Sequence, residues 1–544
     1  MPDRTALSDL IRRAAEGEPL WMPDLREMFS ALPSSAPVVF HLRLITGEWT
    51  RHAYALPRWG NAEEKRFVQE FFYACVYNLL SACSGRELIF EYDPEADHVT
   101  ELISDLDRVF QVHEPQRRGY GKVISIANRL CTAFGLPPFA FRIGTGPAAP
   151  AAVSSASTDP DAVSAAVSPP DSTSTQLPDL SGVICGIDIG GTDIKTVLAE
   201  DGRLVAVTEY DWNPAVSPTA EGILQPILEQ VDRIRARLPG KPLLRAVGVS
   251  FPDVVIGDRI LGGETPKTDG MRRNPDLDYN LEFKKIGMLR ERLQEHCLPG
   301  AQIRIANDGN MAAFTAAVEF GQKGLFAHTL GTDLGSGWVL PDGSIPQMPL
   351  ELYDLILDLG SRPSAALPPE DLRSTRNANS GLPGARRYLG QSAAFRLAWE
   401  RDPSLLDGFT DQTASLLTVR TAPEDLRKPC LAHLMDLAGQ KNQAAADVFR
   451  RVGLHLGVLS READFLLRTG LCQRYLYGRF TRNRSCFELI REGCTACAPE
   501  YELLAPDDDT ARTPLMRQLA ALPGYTVAQF GQAVGAVCYA VSSA

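Results

Sequence analysis

From Ile143 to Ile194 the chain contains no Lys or Arg, and between Thr145 and Leu180 it is almost wholly Ala, Ser, Pro, Thr, Val and Asp. Such a stretch cannot bury enough apolar surface to offset the entropy of ordering it, so it reads as a flexible, partly polyproline tether. It divides the 544 residues into a smaller unit before it and a larger one after it. Away from the tether the composition is that of folded protein, with 44% hydrophobic and 22% charged residues.

Composition also bounds the partners. A net charge of −12 and a pI near 5.3 argue against a broad phosphate-backbone footprint, and hence against nucleic acid. The eleven cysteines are odd in number and scattered, which fits reduced thiols and a cytoplasmic protein better than a secreted disulfide framework. The first residues, MPDRTALSDLIRRAAEGE, include acids and no apolar core, and no run approaches 18 apolar residues. Neither secretion nor membrane spanning is expected.

Residues 1–144 read as an α+β accessory domain. In Ala62 to Cys83 the apolar positions recur at three and four, which predicts a buried helix. Val38 to Ile45 and Leu88 to Tyr92 read as strands, and Tyr120 to Phe134 as a second helix. With 16 basic and 19 acidic residues before the tether, and no nucleotide, metal or catalytic motif, this unit has no legible ligand.

After the tether, Val183 to Ile189, Ile194 to Ala199 and Leu204 to Tyr210 read as three strands, the last two joined at Asp201-Gly202. A helix follows from about Pro218 to Leu238, with Ser217 as its expected N-cap and Pro226 a kink, then a strand at Leu244 to Phe251. The order recurs in outline: strand Ile303 to Ala306, helix Gly309 to Phe320, strands Phe326 to Leu330 and Gly337 to Leu340. Two similar halves facing each other are expected.

The chemistry sits at strand ends. In Asp188-Ile189-Gly190-Gly191-Thr192-Asp193-Ile194-Lys195 two glycines at a hairpin tip let backbone N–H groups approach an anion, and Thr192 adds a hydroxyl. Asp188 before them is a carboxylate that can hold a hydrated Mg²⁺. Taken alone, a plain Gly-Gly turn is the better reading. A second glycine loop, Leu330-Gly331-Thr332-Asp333-Leu334-Gly335-Ser336-Gly337, again lies between strands, and it is neither a P-loop nor part of a dinucleotide-binding unit. In Ile305-Ala306-Asn307-Asp308-Gly309-Asn310 a strand runs into an Ala-rich helix. Asp308 reads equally as an N-cap or as a general base for a hydroxyl, with Asn307 able to bond a neighbouring substrate hydroxyl.

These motifs, with Gly248 to Pro252 between them, resemble in order and spacing the ROK family of sugar kinases and sugar-responsive repressors, of the actin-like ATPase superfamily. The resemblance covers about residues 183–544. It implies an α/β fold of two ribonuclease-H-like lobes, 181–325 and 326–544, around a cleft, preceded by the accessory domain and the flexible linker 145–180. It also implies ATP and Mg²⁺ as cofactors and transfer of the γ-phosphate to a sugar hydroxyl. Asp308 becomes the catalytic base, and Asn307 and Glu351 sugar ligands. Asp188, Gly190, Gly191, Thr192, Lys195, Gly331, Thr332, Gly335, Gly337 and Gly478 become nucleotide contacts, with Asp188 on the metal side.

The chain also departs from the family. The Glu-x-Gly-His segment after the second glycine loop is replaced by Pro349-Leu350-Glu351-Leu352-Tyr353-Asp354, in which only Glu351 survives, and no zinc motif follows, so structural zinc is not expected. The strand Arg474 to Tyr477 ends in Gly478-Arg479, one glycine short of the family's pair near adenine. Cys494-Thr495-Ala496-Cys497, with Cys472 and Cys486 upstream, reads as ordinary cysteines before a zinc or redox site. The long helix carrying Val448 to Leu466 has Gly453 and Gly457 placed for close packing, and a last helix spans Val527 to Val541. Two functions follow: a sugar kinase, or a non-catalytic sensor of sugar or nucleotide that signals through the N-terminal domain. A homodimer stays open.

Overall fold

The computed structural model describes residues 2–113, 119–145, 179–263, 265–331, 334–361, 384–409, 424–470, 473–481, 483–505 and 513–542. Most of the Ala/Ser/Pro stretch, together with Thr332, Asp333 and Cys472, lies outside them. The described residues form a mixed α/β structure with three main sheets. Among the described residues no helix is long and apolar enough to cross a membrane.

The first sheet has the order β2-β1-β3-β4, built from β1 (Ala36–Arg43), β2 (Trp49–Leu56), β3 (Glu87–Tyr92) and β4 (Ala140–Ile143). Strand β2 has no counterpart in the sequence reading, because Arg51 and His52 interrupt its apolar run. Against this sheet lies the Ala62–Cys83 helix, where it was expected. Asn61 caps it by accepting from the N–H groups of Glu63 and Glu64, both at 2.9 Å. Phe67, Val68, Phe71, Phe72, Val76 and Leu79 are fully buried along it. Each such side chain contributes about 1.5–3 kcal/mol by leaving water.

The second sheet has the order β11-β8-β5-β6-β7. Its strands are β5 (Val183–Ile189), β6 (Asp193–Glu200), β7 (Arg203–Asp211), β8 (Leu244–Phe251) and β11 (Cys297–Asn307), with a small β9–β10 ribbon (Val255–Ile256, Arg259–Ile260) before β11. β5 runs antiparallel to β6 and parallel to β8, and β8 runs parallel to β11. The β6–β7 turn is the expected Asp201-Gly202, both residues at positive φ, which suits the twist of a tight hairpin. The following helix starts at Glu221 rather than Pro218. Ser217 does not cap it: its hydroxyl donates to the Thr219 carbonyl, and Thr219 Oγ1 accepts from Gly222 N–H instead.

The third sheet has the order β13-β12-β14-β15, with β12 (Leu325–Leu330), β13 (Leu334–Val339), β14 (Gln473–Gly478) and β15 (Glu502–Leu504). β13 begins three residues earlier than its glycines suggested. The Gln443–Leu467 helix packs at Gly453 and Gly457 against the Arg484–Cys497 helix, the close neighbour that those glycines predicted. The final helix, Val527–Ala540, shares a core with β5, β8, β12 and the Asp308–Phe320 helix, and so joins the second and third sheets.

One apolar cluster runs from the N-terminal helices and first sheet into β12, β13, residues 350–359 and the Gln443–Leu467 helix. Polar contacts reinforce the junction. Asn78 accepts from Ile356 N–H at 2.8 Å and donates to the Ile356 carbonyl and to Glu462 Oε1 at 2.9 and 3.1 Å. Arg26 pairs with buried Glu462 at 2.7 Å. The N-terminal unit therefore shares a core with the third sheet.

Candidate functional site

Strands β5, β8 and β11 are parallel neighbours, and the C-terminal ends of such strands are where ligands collect in open α/β sheets. Asp188 near the end of β5 lies opposite Ser250 of β8, and Asn307 at the end of β11 lies opposite Phe251. The turn after β5 is tight: Gly190 N–H donates to the Asp193 carbonyl at 2.8 Å, and Trp212 clamps it by donating from its backbone to Thr192 O and from its ring to Gly190 O. Gly191 and Thr192 are exposed at the tip. Lys195 is directed to Asp193 and lies 3.6 Å from Glu209, so it braces the turn through Asp193, whose other oxygen accepts from Thr192 Oγ1. Lys267 flanks the tip, its Cε 3.4 Å from where a Gly191 Cβ would stand. Sequence reasoning missed both Asp193 and Lys267. The first was a variable position inside a glycine motif, and the second is brought in by a loop with no motif of its own.

The two readings of Asp308 separate here. Asn307 is the N-cap of the Asp308–Phe320 helix, accepting from the N–H groups of Gly309 and Asn310 at 2.9 and 3.3 Å, and Asp308 Oδ1 shares the Gly309 N–H at 2.9 Å. The Asn307 amide nitrogen donates to the Asp253 carbonyl at 3.0 Å, so both ends of that side chain have protein partners. Asp308 is half-buried and faces Asp188 closely enough to raise that group. Burial pushes the Asp188 carboxyl up to about 6, Lys195 and the Ser250 hydroxyl oppose the rise, and Asp308 and Asp193 add to it. Two carboxylates in mutual repulsion at a strand end suit a cation between them and an incoming phosphate. A hydrated divalent ion on Asp188 therefore fits the residues present. Among the described residues no group of three or more His, Cys, Asp or Glu could hold a metal ion.

The second glycine hairpin lies in the third sheet. Among the described residues beyond its chain neighbours, none has an atom within 4 Å of the missing Gly331 Cβ, and the Gly331 carbonyl accepts from Gln391 N–H at the start of the Gln391–Arg401 helix. Gly335 lies opposite Thr329. Gly337 packs directly on Gly309: a Cβ on either would overlap the other segment's backbone. That contact holds β13 against the helix that carries Asp308. Gly478 ends β14 beside Leu330, which puts it next to the same hairpin. Beyond it a cavity of about 520 Å³ is lined by Met435, Asp436, Arg479, Asn483, Arg484 and Ser485, among others. Asn483 caps the Arg484–Cys497 helix, accepting from Ser485 N–H at 3.0 Å and Cys486 N–H at 3.3 Å. Cys486 and Cys494 are buried, which raises both thiols to about 12, so neither carries a ready thiolate.

A third group of side chains lies next to Asn307. Asp253, whose carbonyl Asn307 holds, is buried and accepts from Val254 N–H at 2.7 Å and Gly263 N–H at 2.9 Å. Glu351 is buried too, and burial pushes its carboxyl up to about 8; Lys122 and the Tyr353 hydroxyl oppose this, while Asp354 and Asp253 add to it. Lys122, fully buried, forms an ion pair with Asp354. Nothing in the sequence reading pointed to Lys122. The available signal was phase: Lys122, Ile126 and Leu130 share one helix face, and all three are buried.

A comparison with protein-family models gives no match, and neither does one with curated proteins. Solved structures do match. A ROK family glucokinase from Streptomyces griseus in complex with glucose and AMPPNP is 19% identical over 66% of this chain and 99% of its own, with a TM-score of 0.43. The chain resembles ROK sugar kinases. A ROK hexokinase from Thermus thermophilus, 16% identical over 66% of this chain and 98% of its own, has a TM-score of 0.41. A glucokinase from Parabacteroides distasonis, 17% identical over 68% of this chain and 100% of its own, has the same score.

Proposed function

We propose that the chain is an ATP-dependent phosphotransferase that moves the γ-phosphate of ATP to a sugar hydroxyl, its lobes 181–325 and 326–544 meeting at the site. The observation that carries this is the division of labour at β11: Asn307 caps the helix, and the Asp308 carboxylate, with one oxygen sharing the Gly309 N–H at 2.9 Å, presents the other beside Asp188 and the Gly190-Gly191 turn. Asp308 takes the proton of the acceptor hydroxyl as its oxygen attacks the γ-phosphorus; the bond from that phosphorus to the bridging oxygen breaks, and ADP leaves with the electron pair. The N–H groups of Gly191 and Gly331, with Thr192 and Thr332, would contact phosphate oxygens, while Gly190, whose N–H donates to the Asp193 carbonyl, and Lys195, through Asp193, would order the first turn. Gly478 and the cavity beyond it would take the nucleoside end. Asp188 would hold Mg²⁺, which when bound offsets phosphate charge. Asp253, Asn307 and Glu351 mark the acceptor end.

The test is ADP release from Mg-ATP with a panel of hexoses, N-acetylated hexosamines and polyols. Release that depends on acceptor and disappears in Asp308→Ala supports the assignment, and unchanged release in that variant overturns the base. One observation favours the sensor reading: both ends of the Asn307 amide already have partners, and the acceptor end is packed by the N-terminal unit. Acceptor-dependent shifts in melting temperature without any ADP release would establish that reading instead.

A further inference from the structure

We propose that the Gly121–Ala133 helix of the N-terminal unit builds part of the acceptor end, and that Lys122 is a positioning residue that holds Asp354, and with it the segment carrying Glu351, in place. The proposal rests on the phosphotransferase reading for the word acceptor, but its geometry stands by itself. At its start the helix reaches residues 349–354 through the buried Lys122–Asp354 ion pair, with the Lys122 ammonium 5.3 Å from the centre of the Tyr353 ring. At its far end it reaches the segment that carries Asp253. Arg129 donates to the Gly262 carbonyl, Arg259 donates to the Ala133 carbonyl at 3.1 Å, and Ile126, Leu130 and Cys131 pack with Val254 and Ile256.

One rigid helix thus touches both segments that supply carboxylates, and so sets the distance between Asp253 and Glu351. The backbone of residues 350–351 is fixed from the same unit: Leu350 and Glu351 donate N–H groups to the Ala82 and Ser81 carbonyls at 3.0 and 3.2 Å, and Ser81 Oγ donates to the Glu351 carbonyl at 2.9 Å. The charged and titratable groups facing Glu351 are Lys122 from the helix, Asp253 from the loop after β8, and Tyr353 and Asp354 from its own segment; Arg386 lies over the outer side of the Tyr353 ring. Against the three carboxylates Lys122 is the cation that this geometry supplies. Removing it takes away a cation that opposes the protonation of buried Glu351, so the carboxyl holds its proton to higher pH.

The experiment compares the full chain with Lys122→Met, Lys122→Arg, Asp354→Asn and the double variant K122M/D354N, using Mg-ATP and the acceptor of highest turnover. Lys122→Met is expected to raise the acceptor KM about tenfold or more while the Mg-ATP KM stays within about twofold, and to move the acidic limb of kcat/KM up by about one pH unit. Asp354→Asn should move that limb the other way, the double variant should fall between them, and Lys122→Arg should restore the acceptor KM. Opposite signs from two adjacent substitutions are not produced by a general loss of folding. An unchanged acceptor KM and limb in Lys122→Met overturns the proposal. If that variant does not fold, the double variant, which leaves no lone buried charge from this pair, decides by the same acceptor KM. If the wild-type chain turns over no acceptor, the phosphotransferase reading fails alone. Lys122 is then read from urea unfolding across pH 5–9, where an identical pH dependence in wild type and Lys122→Met overturns its role.

Discussion

The glycine turns and the carboxylate cluster around Glu351 are neighbours built by different means. At the turns the useful groups are backbone N–H groups, shaped by residues within a few positions of each other: Gly190, Gly191 and Asp193, with Trp212 as clamp. In the cluster they are side chains from four distant segments, at 122, 253, 307 and 351–354. Where a site is local backbone, a substitution acts through shape. Where it is an assembly of buried charges, a substitution acts through desolvation and pairing, and pH becomes the informative variable.

The largest expected effect lies between the two regions. Asp308→Ala should lower turnover by about 10³-fold, near 4 kcal/mol in barrier, since a positioned base contributes roughly 10²–10⁴-fold. It should lower stability by no more than about 1 kcal/mol, because the Gly309 N–H that Asp308 shares keeps its bond to Asn307. Steady-state ADP release beside a melting curve separates the two. A large loss of stability would mean that Asp308 belongs to the scaffold.

Gly337 and Gly331 sharpen the contrast within the glycine turns. A Cβ on Gly337 would overlap the Gly309 backbone, so Gly337→Ala should cost about 2 kcal/mol by urea unfolding, within the usual range for overpacking. Among the described residues beyond its chain neighbours, none has an atom within 4 Å of the missing Gly331 Cβ, so Gly331→Ala should cost less than about 0.5 kcal/mol while weakening Mg-ATP binding. Equal costs at both positions would remove the distinction between a packing glycine and a ligand-facing one.

The same distinction explains what could be read in the sequence. The strands β5 and β8 and the helices Ala62–Cys83 and Val527–Ala540 were legible because periodicity and turn residues are local. The glycine turns were legible for that reason too. Local order left Asp308 between two roles, and only the fold shows that Asn307 accepts from both Gly309 and Asn310 while Asp308 shares the Gly309 N–H alone. Ser217 looked like a cap by type, yet its hydroxyl turns to Thr219 O. Lys122 could not be found by motif, since its meaning comes from Asp354, 232 residues away.

Glu351 offers the pH test. Its folded-state value of about 8 lies above the ordinary 4.5, so between those pH values the folded chain holds a proton that the unfolded chain has released. The associated stability is fully present below about pH 4.5 and is lost as pH rises through about 8. Glu351→Gln should therefore gain on wild type as pH rises from 5 to 8, by on the order of 2 kcal/mol. Asp188, raised to about 6, adds a similar fall at lower pH that the variant leaves in place. Urea unfolding at pH 5 and pH 8 measures the difference, and a constant offset between the two proteins would mean that Glu351 is ionised at neutral pH and the cluster is wetter than its burial implies.

The smallest effect returns to backbone. Asn483 caps the Arg484–Cys497 helix through two N–H groups and also lines the 520 Å³ cavity beyond Gly478. Losing the cap costs about 1 kcal/mol in the usual case, so Asn483→Ala should lower stability by that amount whatever binds there. Asn483→Asp keeps an accepting oxygen for the cap and places a negative charge in the cavity wall. It should keep the cap while giving up the bond from the Asn483 amide to the Met435 carbonyl, and should weaken Mg-ATP binding if the cavity takes the nucleotide, because the added charge repels an anionic ligand. Calorimetric titration of Mg-ATP against both variants reads this directly. Equal affinity for wild type and Asn483→Asp would move the nucleotide away from this cavity, and would leave Asn483 as a helix cap alone.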